Sequence, residues 1–422
     1  MSQCPDLASR PGTAAAPVRA APIAAAPRRM PAALAFPLLA AVLFAFFFAA
    51  AAPSPLFVVF QLAWGFSSSM LTVAFAIYAI ALLISLLVAG SLSDHIGRRP
   101  VVLAALVLQA VAMGLFLLAG DIGGLILARV VQGVATGIAS GALSAAVVEA
   151  APAAKKRLGA LITSVSPLAG LALGALLTGM AVRWTGQPVT WVFGVLALVF
   201  ALGAALVLWM PETVTPRAGA LASLVPRVSI PARARAEFAR GLPVFIAVWA
   251  LGGLFLSLAP SLMHHVFGID SGVVNGLTIA VLSGMGAAAP TLLGRLAAPR
   301  PAILGMSSLA LGLVLLLAAL ATRSLALFFV GTAVAGIGFG GAFSALVQTL
   351  APLAQSHERG ELFAAIFVVS YLAFSLPAML AGFLVAPLGL LATVEGYAGV
   401  LLLVAAVGTW NQWAPLRRRA AP

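Results

Sequence analysis

From Ala32 onward the chain is a succession of long apolar runs, with polar residues gathered in the short gaps between them. A helix needs about 20 residues to cross a bilayer core. Backbone groups in lipid must be bonded within their own segment. The pattern therefore predicts spanning helices, and the absence of period-two alternation argues against an outer-membrane barrel. Twelve spans are predicted, over 32–52, 68–89, 101–119, 122–148, 159–181, 189–210, 242–263, 272–293, 302–320, 324–350, 362–385 and 391–411. The stretch PSPLFVVFQLAWGFSSS (53–69) is read as an outer loop with aromatic anchors. The predicted fold class is an all-α membrane protein of twelve transmembrane helices in two six-helix pseudo-repeats.

Composition agrees. Of 422 residues, 63% are hydrophobic and 8% charged, and the mean hydropathy is +1.15. A soluble domain is about 25% charged, so lipid is the expected solvent. The single cysteine, Cys4, lies in a Pro/Ala-rich stretch and implies neither a disulfide framework nor a thiolate metal site. The formal net charge of +13 could mean nucleic acid. The arginines sit in short gaps between apolar runs, without interleaved aromatics, so a membrane is the expected partner and nucleic acid is not.

Charge also predicts orientation. With both termini in the cytoplasm, all 23 Lys and Arg except Arg129, Arg183 and Arg323 fall on the inner side. That bias follows the positive-inside rule. Residues 1–31 read as a disordered cytoplasmic tail. The first apolar run begins too late for a secretory signal and is expected to remain as a span. The remaining expected units are a six-helix bundle over 32–210, a cytoplasmic linker over 211–241, a second bundle over 242–411 and a cytoplasmic tail over 412–422. The linker's PARARAEFARG suits an amphipathic surface helix.

The halves look duplicated. GALSA (141–145) returns as GAFSA (341–345), and Ala151-Pro152 as Ala351-Pro352. Gly90 has a plausible partner in Gly294. Two six-span repeats with a site between them point to a secondary transporter.

Between the second and third spans stands GSLSDHIGRRP (90–100), unusually polar for this chain. Gly90 and Gly97 permit tight turns. Asp94 can accept from helix N-termini or arginine, and Arg98 and Arg99 can donate to carboxylates or lipid phosphates. Such a loop can act as a conformational latch holding helix ends together. At Gly90, Leu92, Ser93, Asp94, Gly97, Arg98 and Arg99 the sequence resembles the major facilitator superfamily motif G-x-L-[AS]-D-x-x-G-R-[RK]. The likeness extends over roughly 32–412 in span count, central loop and duplication. It implies the major facilitator fold. It also implies that Asp94 and Arg98 belong to a charge relay stabilising the outward-open state. The second half reads GRLAAPRP (294–301), shorter and without the Asp, so a one-sided latch is expected.

Further positions match the family. Arg129, Gln132 and Gly133 fit its fourth-span motif, whose Arg is implicated in proton transfer in proton-coupled members. The competing reading of Arg129 is snorkelling to the outer interface. Pro167 and Gly170 fit part of a fifth-span signature of the drug/proton antiporter-like branch, and Gly174 follows. Close helix packing explains these three equally well. Glu212 in PET (211–213) could pair with a loop Arg or simply end a helix. Glu149 could join the latch. His264 and His265 invite a proton-shuttle reading, against which interfacial anchoring is preferred. The resemblance also implies a cavity lined by spans one, four, seven and ten, with Phe44, Phe47, Phe48, Trp249 and Phe255 as candidate contacts.

No P-loop, HExxH or catalytic-triad pattern stands out, so no enzyme, cofactor or metal is expected. The leading expectation is a monomeric, proton-coupled exporter of small hydrophobic organic compounds in a bacterial-type inner (plasma) membrane, working by alternating access. The alternatives are a proton-linked uptake symporter for an organic acid, sugar or other metabolite, and a non-transporting sensor or scaffold.

Overall fold

The computed structural model describes residues 30–152, 156–294, 296 and 299–420. The expected N-terminal tail up to residue 29, Lys155 and Arg295 lie outside them. Helix follows helix: α1 Ala32–Ala51, α2 Pro53–Trp64, α3 Ser68–Ala89, α4 Ser93–Ile96, α5 Arg98–Leu118, α6 Ile122–Ala150, α7 Lys156–Trp184 and α8 Pro188–Val207. The second half continues with α9 Arg235–Ser257, α10 Ala259–His265, α11 Gly272–Leu293, α12 Arg300–Thr322, α13 Leu325–Leu350, α14 Arg359–Leu388 and α15 Leu390–Ala420. Among the described residues there are 12 helical segments long and apolar enough to span a membrane, the first being the α1–α2 pair. Backbone groups are thus bonded within each segment, as lipid requires.

The chain crosses from a near face, where the 90–100 loop lies, to a far face and back. Helices α1 to α8 form one bundle and α9 to α15 the other. The two bundles meet where α7 packs on α11 and α3 on α14.

Two expected boundaries are corrected. Residues 53–64 are helical, with Pro53, Ser54, Pro55, Leu56, Phe57 and Phe60 buried, so the predicted outer loop shrinks to Gly65–Ser67. Pro53 sits at the first position of α2, where a missing N–H costs nothing. Gly65 then stops the helix with φ 66°, and Ser67 caps α3 by accepting from the Met70 N–H. In the linker, PARARAEFARG is not a separate surface helix. From Arg235 it is the first part of α9, with Phe238 already buried.

Candidate functional site

The near-face loop folds as a turn, the short α4 and a sharp entry into α5. Gly90 keeps an ordinary helical φ of −59°, so its expected left-handed freedom is not used. It matters by proximity: a Cβ at Gly141 of α6 would stand 3.0 Å from the Gly90 carbonyl oxygen. Gly97 does need its freedom. At φ 103° and ψ 156° it occupies a region almost confined to glycine. A Cβ there would also strike the Glu212 carboxylate.

Arg98, buried at the start of α5, is the hub. Its Nη1 lies 2.5 Å from Asp94 Oδ1 and donates to Ser93 Oγ at 2.6 Å. Its Nη2 and Nε donate to Glu149 Oε1 at 3.0 and 3.3 Å. The other Glu149 oxygen accepts from the Thr213 hydroxyl at 2.8 Å. One guanidinium thus joins α4, α5 and the end of α6.

Glu212 supplies a second tie. Its two oxygens accept the backbone N–H groups of Arg98 and Arg99 at 2.8 and 3.0 Å. It caps α5 from the segment after α8, where a carboxylate also favours the helix dipole. Of the predicted latch residues, Arg99 gives only this N–H. Its guanidinium makes no ion pair among the described residues, while Asp94 and Glu149 both pair with Arg98. Glu149 and Glu212 are the carboxylates that residue spacing offered only as possible partners, since they lie 51 and 114 residues from Arg98 in the chain.

Deeper in the first bundle, Arg129 is 1% exposed, which rules out snorkelling. It donates to Gln132 Oε1 at 2.7 Å, to the Ala74 carbonyl at 3.3 Å and to the Ala50 carbonyl at 3.4 Å. Its Cζ stands 4.2 Å from the Tyr78 ring centre and 5.9 Å from that of Phe57. Gln132 donates in turn to the Ala49 carbonyl at 2.8 Å. Pro53 explains that bond. It has no N–H for the carbonyl four residues earlier, so Ala49 is left open and Gln132 fills it. The sequence held this signal, a proline four residues after an alanine of the first span. Gly133 plays a packing part: a Cβ there would come within 2.9 Å of Ala81 Cβ on α3.

The remaining predicted residues separate. Gly170 and Gly174 seat α7 against α1, where added Cβ atoms would meet Phe47 Cβ at 2.8 Å and the Phe48 carbonyl carbon at 2.9 Å. Pro167 lies within the same helix. Phe44, Phe47 and Phe48 are half-buried along α1, with Phe44 and Phe48 rings 6.4 Å apart. Trp249 of α9 faces Tyr371 and Phe374 of α14 and Phe343 of α13. Phe255 is turned away from the other bundle. It packs on Phe328 beside a small apolar void of about 20 Å³ inside the second bundle. His264 pairs with Asp270 on the far face. Burial, with the neighbouring His264, pushes the His265 imidazole below its ordinary range.

At the far face the bundles close on each other. A Cβ at Gly276 of α11 would stand 3.0 Å from Leu176 Cα of α7, one at Gly382 of α14 would come within 2.7 Å of Thr72 Cβ of α3, and the Phe75 and Phe374 rings lie tilted 4.9 Å apart. Thr178 and Asn275, each next in the chain to a glycine of this seam, Gly179 and Gly276, are buried with Oγ1 and Oδ1 unpartnered among the described residues.

Known proteins were compared with this geometry. The family model described as Major Facilitator Superfamily matches residues 38–378. A bacterial homolog of the human lysosomal transporter Spinster, solved in an inward-facing and unoccupied conformation, superposes with a TM-score of 0.71 at 13% identity, covering 92% of this chain and 98% of that one. A POT family transporter in complex with 5-aminolevulinic acid gives 0.70 at 13%, over 88% and 94%. The human organic anion transporter MFSD10 gives 0.64 at 17%, over 90% and 100%. At such identities the likeness is one of fold. No curated protein matches the chain by sequence. The family match runs through both bundles and includes the Arg98 hub and Arg129, so this multi-pass membrane protein belongs to the Major Facilitator Superfamily.

Proposed function

We propose that the chain is a secondary active transporter that exports small hydrophobic organic compounds in exchange for protons, by alternating access, as a monomer in a bacterial-type plasma membrane. The near face is cytoplasmic in this reading, in keeping with the charge bias of the loops. The observation that carries alternating access is the far-face seam. There α7 meets α11 and α3 meets α14 through small residues, while the Arg98 network braces near-face helix ends within the first bundle. The arrangement then corresponds to a state closed on the outside. Arg129 carries the coupling role. It is a cation at depth, held by carbonyls of α1 and α3, so its environment changes whenever those helices move. Charges at such depth are costly and kept for function. The test is flux in proteoliposomes under an imposed pH gradient. A protonophore should abolish substrate accumulation, and Arg129→Leu should reduce it at least tenfold. Gradient-independent flux would overturn the coupling.

One observation favours a second reading. Arg129 has no carboxylate partner among the described residues, so an organic acid could serve as its counter-ion in proton-linked uptake. Vesicles loaded on one side separate the two by the direction of accumulation.

A further inference from the structure

A row of aromatic rings climbs α14 and continues across the bundle boundary. Phe363 and Phe367 stand 6.4 Å apart between ring centres, and Phe367 and Tyr371 6.1 Å. Tyr371 lies 4.8 Å from Trp249 of α9, Trp249 5.8 Å from Phe374, and Phe374 4.9 Å from Phe75 of the first bundle. At about 100° per residue, residues 363, 367, 370, 371 and 374 share one side of α14. The exposed Leu372, Leu376, Leu380 and Phe383 occupy the opposite side. Lipid therefore covers the back of α14, and the rings face α9 and the other bundle. The row begins near the near-face end of the helix and stops where the bundles touch.

Among the described residues, two polar atoms in this row lack partners. Trp249 Nε1 is buried without an acceptor, although an indole N–H normally finds one when buried. Ser370, fully buried on the same side of α14, has an unpartnered hydroxyl. The charge nearby is positive. Phe75, which meets Phe374, stands one turn of α3 from Tyr78, whose ring centre lies 4.2 Å from Arg129 Cζ. The acidic residues of the described chain sit in the loops or within two turns of a helix end.

We infer that this row is the substrate-binding surface, and that it takes a planar aromatic molecule carrying a hydrogen-bond acceptor and no positive charge. The proposal rests on the transporter reading above and narrows its substrate class. The tilted and edge-on rings match the faces and edges of an aromatic guest. Trp249 Nε1 and the Ser370 hydroxyl supply the donors that an oxygen acceptor would satisfy. An aromatic surface alone would also hold an organic cation by cation–π attraction. The Arg129 charge, with no carboxylate beside it, decides against that.

The test is equilibrium binding to the full chain in lipid nanodiscs without any gradient. The probes share one ring system: 2-naphthoate, 2-naphthol, 2-methylnaphthalene, the 2-naphthyltrimethylammonium cation and the saturated decalin-2-carboxylate. The naphthoate and naphthol should bind, the cation at least about tenfold more weakly, and the saturated acid several-fold more weakly. Trp249→Phe keeps a ring and loses the donor. It should cost the oxygen-bearing probes about two- to tenfold and leave 2-methylnaphthalene unchanged, the range of one hydrogen bond. Tyr371→Leu should weaken every aromatic probe, and the half-buried Phe367→Leu makes the same test should that variant aggregate. Equal binding of the cation, no binding of any probe, or unchanged affinities in Trp249→Phe and Phe367→Leu would overturn the proposal. Binding that survives while proton-driven flux fails would instead sink the coupling and leave this site standing.

Discussion

Gly97 shows how one residue can be fixed by two independent constraints. Its backbone lies where a side chain costs about 1–3 kcal/mol, and the space beside it is filled by the Glu212 carboxylate. Gly97→Ala should therefore lower stability by more than the backbone term alone, read as a drop in the thermal midpoint of the purified protein. The excess has a separable source. In a Glu212→Ala background the clash is gone, so the cost of Gly97→Ala should shrink by about 1 kcal/mol or more, within the coupling range of contacting residues. Strictly additive variants would show that Glu212 does not press on this turn. Glu212→Ala alone frees the N–H groups of Arg98 and Arg99 and should cost about 1–2 kcal/mol, as other lost caps do. Asp94, Gly97 and Arg98 were visible in sequence because the loop is continuous and polar. Glu149 and Glu212 were visible only as possible partners among alternatives, since it is the packing of α5, α6 and the segment after α8 that brings their carboxylates to one helix end.

At the scale of elements, the apolar pattern was a reliable guide to where helices run, because in lipid a helix of about 20 residues is the sole local solution. It misread 53–64, where two prolines look like a loop. Pro53 merely restarts the helix, and the carbonyl it abandons on Ala49 becomes the seat of Gln132. The seam between α7 and α11 was equally hidden, since glycines pack helices within and between bundles alike. Its distinguishing feature is cost. Among the described residues Thr178 Oγ1 and Asn275 Oδ1 are buried beside it without partners, and an unsatisfied buried polar group costs about 1–3 kcal/mol. Opening the far face would hydrate both, so the closed seam is held below its possible stability. Thr178→Val keeps the shape and removes the hydroxyl. We expect it to favour the closed far face by about 1 kcal/mol, roughly fivefold in population, and to slow turnover while raising the thermal midpoint. Distances between labels on α7 and α11, followed by single-molecule fluorescence, report the ratio. An unchanged or more open population would remove the seam from the switching mechanism.

The whole molecule is two bundles of like architecture with unlike near faces. The first ends in the Arg98 network. At the corresponding end of the second, Thr349 stands 200 positions after Glu149 and borders a groove of about 360 Å³ with Ser344 and Gln348. Arg295 of the shorter loop lies outside the described residues. Among the described residues the Arg98 network has no counterpart at that end of the second bundle. Which compartment that face meets decides how the molecule reads as a machine. An even number of spans puts both described ends on one side, and the proposed orientation, which follows the arginine bias, makes that side the cytoplasmic one. Cys4 is the single native cysteine, so Cys4→Ser gives a clean background for labelling. Ser91→Cys reports the near face, where Ser91 is exposed and its hydroxyl bonds only the Ser223 carbonyl of the linker. Gly186→Cys reports the far face, at an exposed position with open space around it. A membrane-impermeant maleimide added to intact cells should label Gly186→Cys and spare Ser91→Cys, and inverted vesicles should reverse the pattern. A third cysteine, Thr178→Cys, should stay unlabelled from outside while the seam is closed and react once substrate and gradient drive the cycle. Labelling of Ser91→Cys in intact cells would invert the orientation, turning the closed seam to the inside and making export and uptake exchange places in the scheme.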